Sequence, residues 1–177
     1  TTGYRIQLVP GRYSEDAMPT WWDNRHGTFE HPIIVQAADG PGTVTLAGMD
    51  LHNVAYMYLI GLRLEVRGGG GDVLHFASSD HVLIRDSELV GLGDIAASDA
   101  PQETLKVNQS QYMFLEDSDV SGASWTAVDY VAVQHGHVIG SKIHRAGDWA
   151  MYFKGGSAYL RVEGNEIYDA STGGFSA

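Results

Sequence analysis

The chain has 177 residues, enough for one domain with a sizeable core. Its formal net charge is -11, which argues against a nucleic-acid partner, because phosphate binding needs basic patches. It has no cysteine, so no disulfide framework exists, and no apolar run approaches the ~18 residues of a membrane span.

The first predicted element is RIQLVPGRY from Arg5, a strand ended by Pro10-Gly11. Between Arg12 and Thr28 an irregular loop follows, with Trp21 and Trp22 side by side. HPIIVQAADGPGTVTLAG reads as two short strands around a Gly-Pro-Gly turn. AYMYLIGLRLEV reads as two adjoining strands with Gly61 between them.

From Asp72 the chain repeats itself four times. The copies are DVLHFASSDHVLIRDSELVG from Asp72, ETLKVNQSQYMFLEDSDVSG from Glu103, DYVAVQHGHVIGSKIHRAG from Asp129 and WAMYFKGGSAYLRVEGNEIYDA from Trp149. Each is an alternating strand, a turn of small polar residues, a second strand and a small-residue turn. Repeats of this kind without a helix signal predict stacked β-coils. The expected fold is all-β, a right-handed parallel β-helix forming a single domain over 1–177. Its coils are irregular over 1–70 and regular over 71–177. A second long loop, GLGDIAASDAPQ, precedes Glu103. The repeat breaks off at STGGFSA, inside what would be a further coil. A longer polypeptide, or a partner or chain segment covering the solenoid ends, is therefore expected.

Aligning the copies puts Phe76, Val107, Val133 and Phe153 in one core column, with Leu74, Leu105, Val131 and Met151 beside it. The second strands add Ile84, Leu115, Val138 and Val162, then Leu89, Val120, Ile143 and Ile167. Ser87, Ser118, Ser141 and Asn165 fall at a turn.

The motifs I-x-L-x-P-G-x-Y, G-T-x-x-x-P-I-I-V and x-V-x-I-R-x-S-x-L-x-G resemble the right-handed parallel β-helix proteins of the pectate-lyase-like superfamily. The resemblance implies a secreted, carbohydrate-active protein, most often a lyase that cleaves acidic polysaccharides by β-elimination. It implies a lysine or arginine base, and calcium or a cation cluster that neutralises the uronate carboxylate.

In the predicted register, His75, Lys106, Ala132 and Tyr152 share an outward column, and Ala77, Asn108, Gln134 and Lys154 share the next. A third holds Val73, Thr104, Tyr130 and Ala150. Only three lysines exist, Lys106, Lys142 and Lys154, and two fall on this face. The candidate catalytic residues are Lys106 as base, with Lys154, Tyr152 and His75. Candidate substrate contacts are Asn108, Gln134, Tyr130, His135, Trp21 and Trp22. A solvated strand lysine paired with Glu103 or Asp129 is the alternative for Lys106, and burial is the alternative for the tryptophans. Asp129, Asp148 and Glu103 could hold calcium, or the aspartates could cap turns. Two carboxylates could instead serve glycoside hydrolysis. A non-catalytic glycan-binding or structural module is a further reading. In His135-Gly136-His137, Gly136 is expected to separate the two rings rather than let them share a metal.

Overall fold

The computed structural model describes residues 3–67 and 71–177. Seven coils each contribute one strand to each of three sheets. The first coil holds β1 (Arg5–Leu8), β2 (Gly11–Arg12) and β3 (Trp21–Asp23). The second holds β4 (Ile33–Ala37), β5 (Val44–Ala47) and β6 (Met49–His52). The third holds β7 (Ala55–Ile60), β8 (Leu62–Glu65) and β9 (Leu74–Ala77). The fourth holds β10 (Asp80–Arg85), β11 (Glu88–Val90) and β12 (Glu103–Asn108). The fifth holds β13 (Gln111–Glu116), β14 (Asp119–Ala123) and β15 (Thr126–Val131). The sixth holds β16 (Gln134–Ile139), β17 (Lys142–Ala146) and β18 (Trp149–Lys154). The seventh holds β19 (Ala158–Glu163), β20 (Glu166–Ala170) and β21 (Gly173–Ser176).

Sheet A runs from β1 to β19, sheet B from β2 to β20 and sheet C from β3 to β21. Every pairing between strands is parallel, so the chain is a parallel β-helix. Among the described residues no helix is long and apolar enough to cross a membrane.

The predicted second strand of each copy is two strands, because the chain bends between sheets A and B. Asp86, Asp117, Gly140 and Gly164 take positive φ there, at 51°, 46°, 64° and 64°. The serine column completes the bend. Ser87 Oγ accepts from Leu62 N, Ser118 Oγ from Ser87 N, and Ser141 Oγ from Ser118 N. Asn165 Oδ1 accepts from Ser141 N. Each short side chain thus satisfies a buried backbone donor of the neighbouring coil, which is why small polar residues recur.

The apolar columns of sheets A and B stack as predicted. Ile84 pairs with Leu115, Leu115 with Val138, and Val138 with Val162. Leu89, Val120, Ile143 and Ile167 form the second column. The Arg12–Thr28 segment differs from its expected irregularity, since Trp21–Asp23 pair with Asp50–His52.

The third copy departs from the predicted register. Val107 pairs with Tyr130, not Val133, and Lys106 with Asp129, not Ala132. Ala132, at φ 56°, and Val133 occupy the turn that Ser78-Ser79 and Gln109-Ser110 make in the preceding coils. Two apolar turn residues read as strand in the sequence. The correction buries Tyr130, whose ring stacks on Phe153 with centroids 5.0 Å apart. Tyr130 is therefore a core residue and lies away from the outward face.

Candidate functional site

The site is built from the outward row of sheet C. Register places Trp21, Asp50, His75, Lys106, Asp129 and Tyr152 side by side on six adjacent strands. At the ~4.8 Å spacing of neighbouring strands this row is roughly 24 Å long. A second row holds Asn108 and Lys154 on either side of Val131. Sheet positions fix these side chains, because alternation sends their neighbours Phe76, Val107 and Phe153 into the core.

Lys106 is the hub of an ionic cluster. Its Nζ contacts Asp129 Oδ2 and lies 3.4 Å from Glu103 Oε1. Lys154 Nζ reaches the same Asp129 oxygen at 3.1 Å and sits 4.7 Å from the centre of the Tyr152 ring. Asp129 is 0% exposed, and its Oδ1 has no hydrogen-bond partner. Burial pulls the Lys106 ammonium down, but its hydrogen bond to Asp129 and the charges of Glu103 and Asp129 outweigh it, and the net direction is up. An ammonium held above its ordinary value stays charged at neutral pH. The paired-lysine alternative therefore describes Lys106, and the role of free base does not fit it.

Asp72 and Glu103 form a carboxyl pair behind the lysine. Asp72 Oδ1 accepts from Glu103 N at 3.2 Å. Burial, then the hydrogen bond with Asp72, pushes Glu103 up to about 7. Asp72 is also raised, mainly by burial. A carboxyl raised from 4.5 to about 7 favours folding when protonated; that stability is complete below 4.5 and is lost as pH rises through 7. Glu103→Gln keeps the neutral shape, so it should match wild type at pH 5 and exceed it by about 1–2 kcal/mol at pH 8. Thermal unfolding at the two pH values checks this, and a variant less stable at pH 8 contradicts it.

His75 lies beside Lys106 and carries its own partners. Its Nδ1 is 3.4 Å from Asp50 Oδ1, and Asn108 Nδ2 donates to its Nε2 at 3.1 Å. Arg67 pairs with Asp50. Burial lowers the His75 pKa against the opposing pull of Asp50. The ring is thus neutral near pH 7, with Lys106 on the adjacent strand and Arg67 on the far side of Asp50.

The remaining predicted residues scatter. Trp21, at 63% exposed, stands at the end of the outward row beside Asp50, while Trp22 is 8% exposed and donates from Nε1 to Pro19 O. Gln134 opens β16 and donates to Gly156 O at 2.7 Å. Asp148 lies in the turn before β18, where its main chain bonds to Trp125 and Thr172. His135 joins a ring ladder on sheet A, Tyr56–His81–Tyr112–His135–Tyr159, with centroids 4.3 to 5.1 Å apart. His137 instead donates to or accepts from Glu116 Oε1 at 2.7 Å. His144 lies in β17 and pairs with Asp119 at 3.0 Å.

The carboxylates do not fit calcium. Two lysine ammoniums already pair with Asp129, and burial beside Asp72 disfavours the charged form of Glu103. Among the described residues no group of three His, Cys, Asp or Glu side chains could hold a metal ion.

Asp50, Arg67, Asp72 and Trp125 were missed as candidates. Trp125, 57% exposed, lies in the turn just before β15. Asp50 was legible only through register, since nothing in MDLH marks a strand of sheet C.

No protein-family model and no curated protein sequence matches the chain. Among solved structures it is similar to pectate lyase Pel9A, with TM-score 0.60 and 14% identity over 85% of this chain and 46% of that one. A candidate glycosyl hydrolase from Parabacteroides merdae gives TM-score 0.48 and 12% identity over 96% and 84% of the two chains. An alginate lyase from Paenibacillus gives 0.35 and 13% over 100% and 92%. The chain spans about half the length of Pel9A, 46%, and shares with that lyase the parallel β-helix fold.

Proposed function

We propose that the outward face of sheet C holds an acidic polysaccharide and cleaves it by β-elimination, with His75 as the base. The observation that carries this reading is a neutral imidazole on a partly exposed row, with Lys106 on the next strand and Arg67 across Asp50. Lys106 and Arg67 would neutralise the uronate carboxylate, which acidifies the proton at C5. His75 Nε2 takes that proton, the C4–O bond breaks, and a C4–C5 double bond forms. The imidazolium returns the proton to the leaving oxygen, while Asp50 holds the Nδ1–H. Trp21 and Tyr152, at opposite ends of the row, offer ring surfaces to flanking sugars. The protein would act outside the cell, where such polymers lie.

His75→Ala should lower the rate of unsaturated product formation at least about 100-fold, the usual weight of a general base. Because the His75 pKa is lowered, wild-type activity should persist below pH 6.5 before its acid limb falls. A His75→Ala protein of full activity sinks the mechanism.

A second reading is a binding module without turnover. The Asn108 amide already occupies His75 Nε2, and the carboxylates already occupy Lys106. Uronate binding without an unsaturated product would favour it. Hydrolysis by paired carboxylates has less support, since Glu103 and Asp129 are both buried from any glycosidic oxygen.

A further inference from the structure

A second surface, on sheet A, has the build of a sugar pocket. One outward row of that sheet holds Tyr58, Leu83, Phe114 and His137 on adjacent strands. Tyr56 and His81 stack beside it at 4.3 Å. Phe29 overhangs them from the first coil and is 80% exposed. These residues line a cavity of about 290 Å³ together with Arg85 and Glu116.

The main-chain turn that carries Phe29 is anchored. It is closed by two main-chain bonds, Thr28 N to His31 O at 3.0 Å and His31 N to Thr28 O at 3.1 Å. Gly27 N ties that turn to Ala55 O at 2.8 Å, directly beside Tyr56. An exposed aromatic on an anchored turn over a ring-lined cavity is a feature of binding sites rather than of inert surface.

The polar corner narrows the ligand. Arg85 Nε and Nη2 bind Glu116 Oε2 at 2.7 and 2.6 Å, and His137 Nε2 bonds Glu116 Oε1 at 2.7 Å. This chain of donors and acceptors borders the apolar walls. Arg85 commits both Nε and Nη2 to Glu116, whereas Arg67 on the sheet C face gives Asp50 only Nη2, so this corner has less to offer a carboxylate. Apolar ring walls with a charge-balanced hydrogen-bonding edge match a pyranose, whose C–H faces are apolar and whose rim carries hydroxyls. We propose that this cavity is a second carbohydrate site, specific for a neutral sugar unit and separate from the sheet C face. The inference does not depend on elimination chemistry at His75.

Isothermal titration with neutral gluco-, manno- and xylo-oligosaccharides tests it, with oligogalacturonate as the acidic comparison. At least one neutral series should bind wild type. Phe29→Ala should weaken that binding about tenfold while leaving the melting temperature unchanged, as expected for loss of one exposed ring contact. His75→Ala should bind the neutral sugar as wild type does, so failure of the elimination reading leaves this result standing. Absence of neutral-sugar binding overturns the proposal, as does equal binding by Phe29→Ala. A concentration-dependent dimer that Phe29→Ala abolishes would overturn it in favour of a second copy of the chain.

Discussion

Asp129→Ala should destabilise the protein by about 3–5 kcal/mol, the cost of breaking a buried ion pair from one side. Asp129 has no exposed surface and anchors two ammoniums, those of Lys106 and Lys154. Without it, both cations face each other across β15 with only Glu103 near. Lys154 is more exposed than Lys106 and can turn to water, so the larger part of the loss should come through Lys106. Lys154→Ala should therefore cost much less. Urea unfolding of the two variants measures the difference. Equal losses, or an Asp129→Ala variant of near wild-type stability, would show that the cluster is not a stabilising hub.

Gly136→Ala should cost about 3 kcal/mol through backbone strain and overpacking. Gly136 takes φ 149° within β16, and a Cβ there would lie 2.1 Å from Met113 O. That oxygen belongs to the adjacent strand and cannot swing aside as a side-chain tip could. The main chain at Met113 must move away for the methyl to fit. Thermal unfolding of the variant measures this, and an unchanged midpoint would contradict the close approach. The same glycine sends His135 into the ring ladder and His137 toward Glu116, so the two imidazoles serve different neighbours.

The repeat made much of this fold legible in the sequence. Its serine and asparagine column encodes the bend between sheets A and B, and its apolar columns encode the interior. What failed was register across one turn. Ala132 and Val133 fill a position where other coils put polar residues, so composition could not separate turn from strand. That slip had a large consequence for the site. It put Ala132 where Asp129 stands, so Asp129 was expected just before the strand and not in the outward row beside Lys106. Asp50 was hidden for a separate reason, since its coil lies among the irregular N-terminal segments. Lys106, His75, Tyr152 and Trp21 were found because their own strands were aligned correctly or their exposure was guessed from chemistry. The row that joins them depends on neighbours from six coils, and no local pattern in the chain records it.

The measurement that bears most directly on the central claim is the ultraviolet absorbance of unsaturated uronate product. Wild type and His75→Ala are incubated separately with polygalacturonate and alginate across pH 5 to 9, a range spanning roughly the ordinary histidine titration. The sheet C account predicts rising absorbance with at least one polymer for wild type, and a rate lower by about 100-fold for His75→Ala. No rise with either polymer, or equal rates for the two proteins, would contradict it.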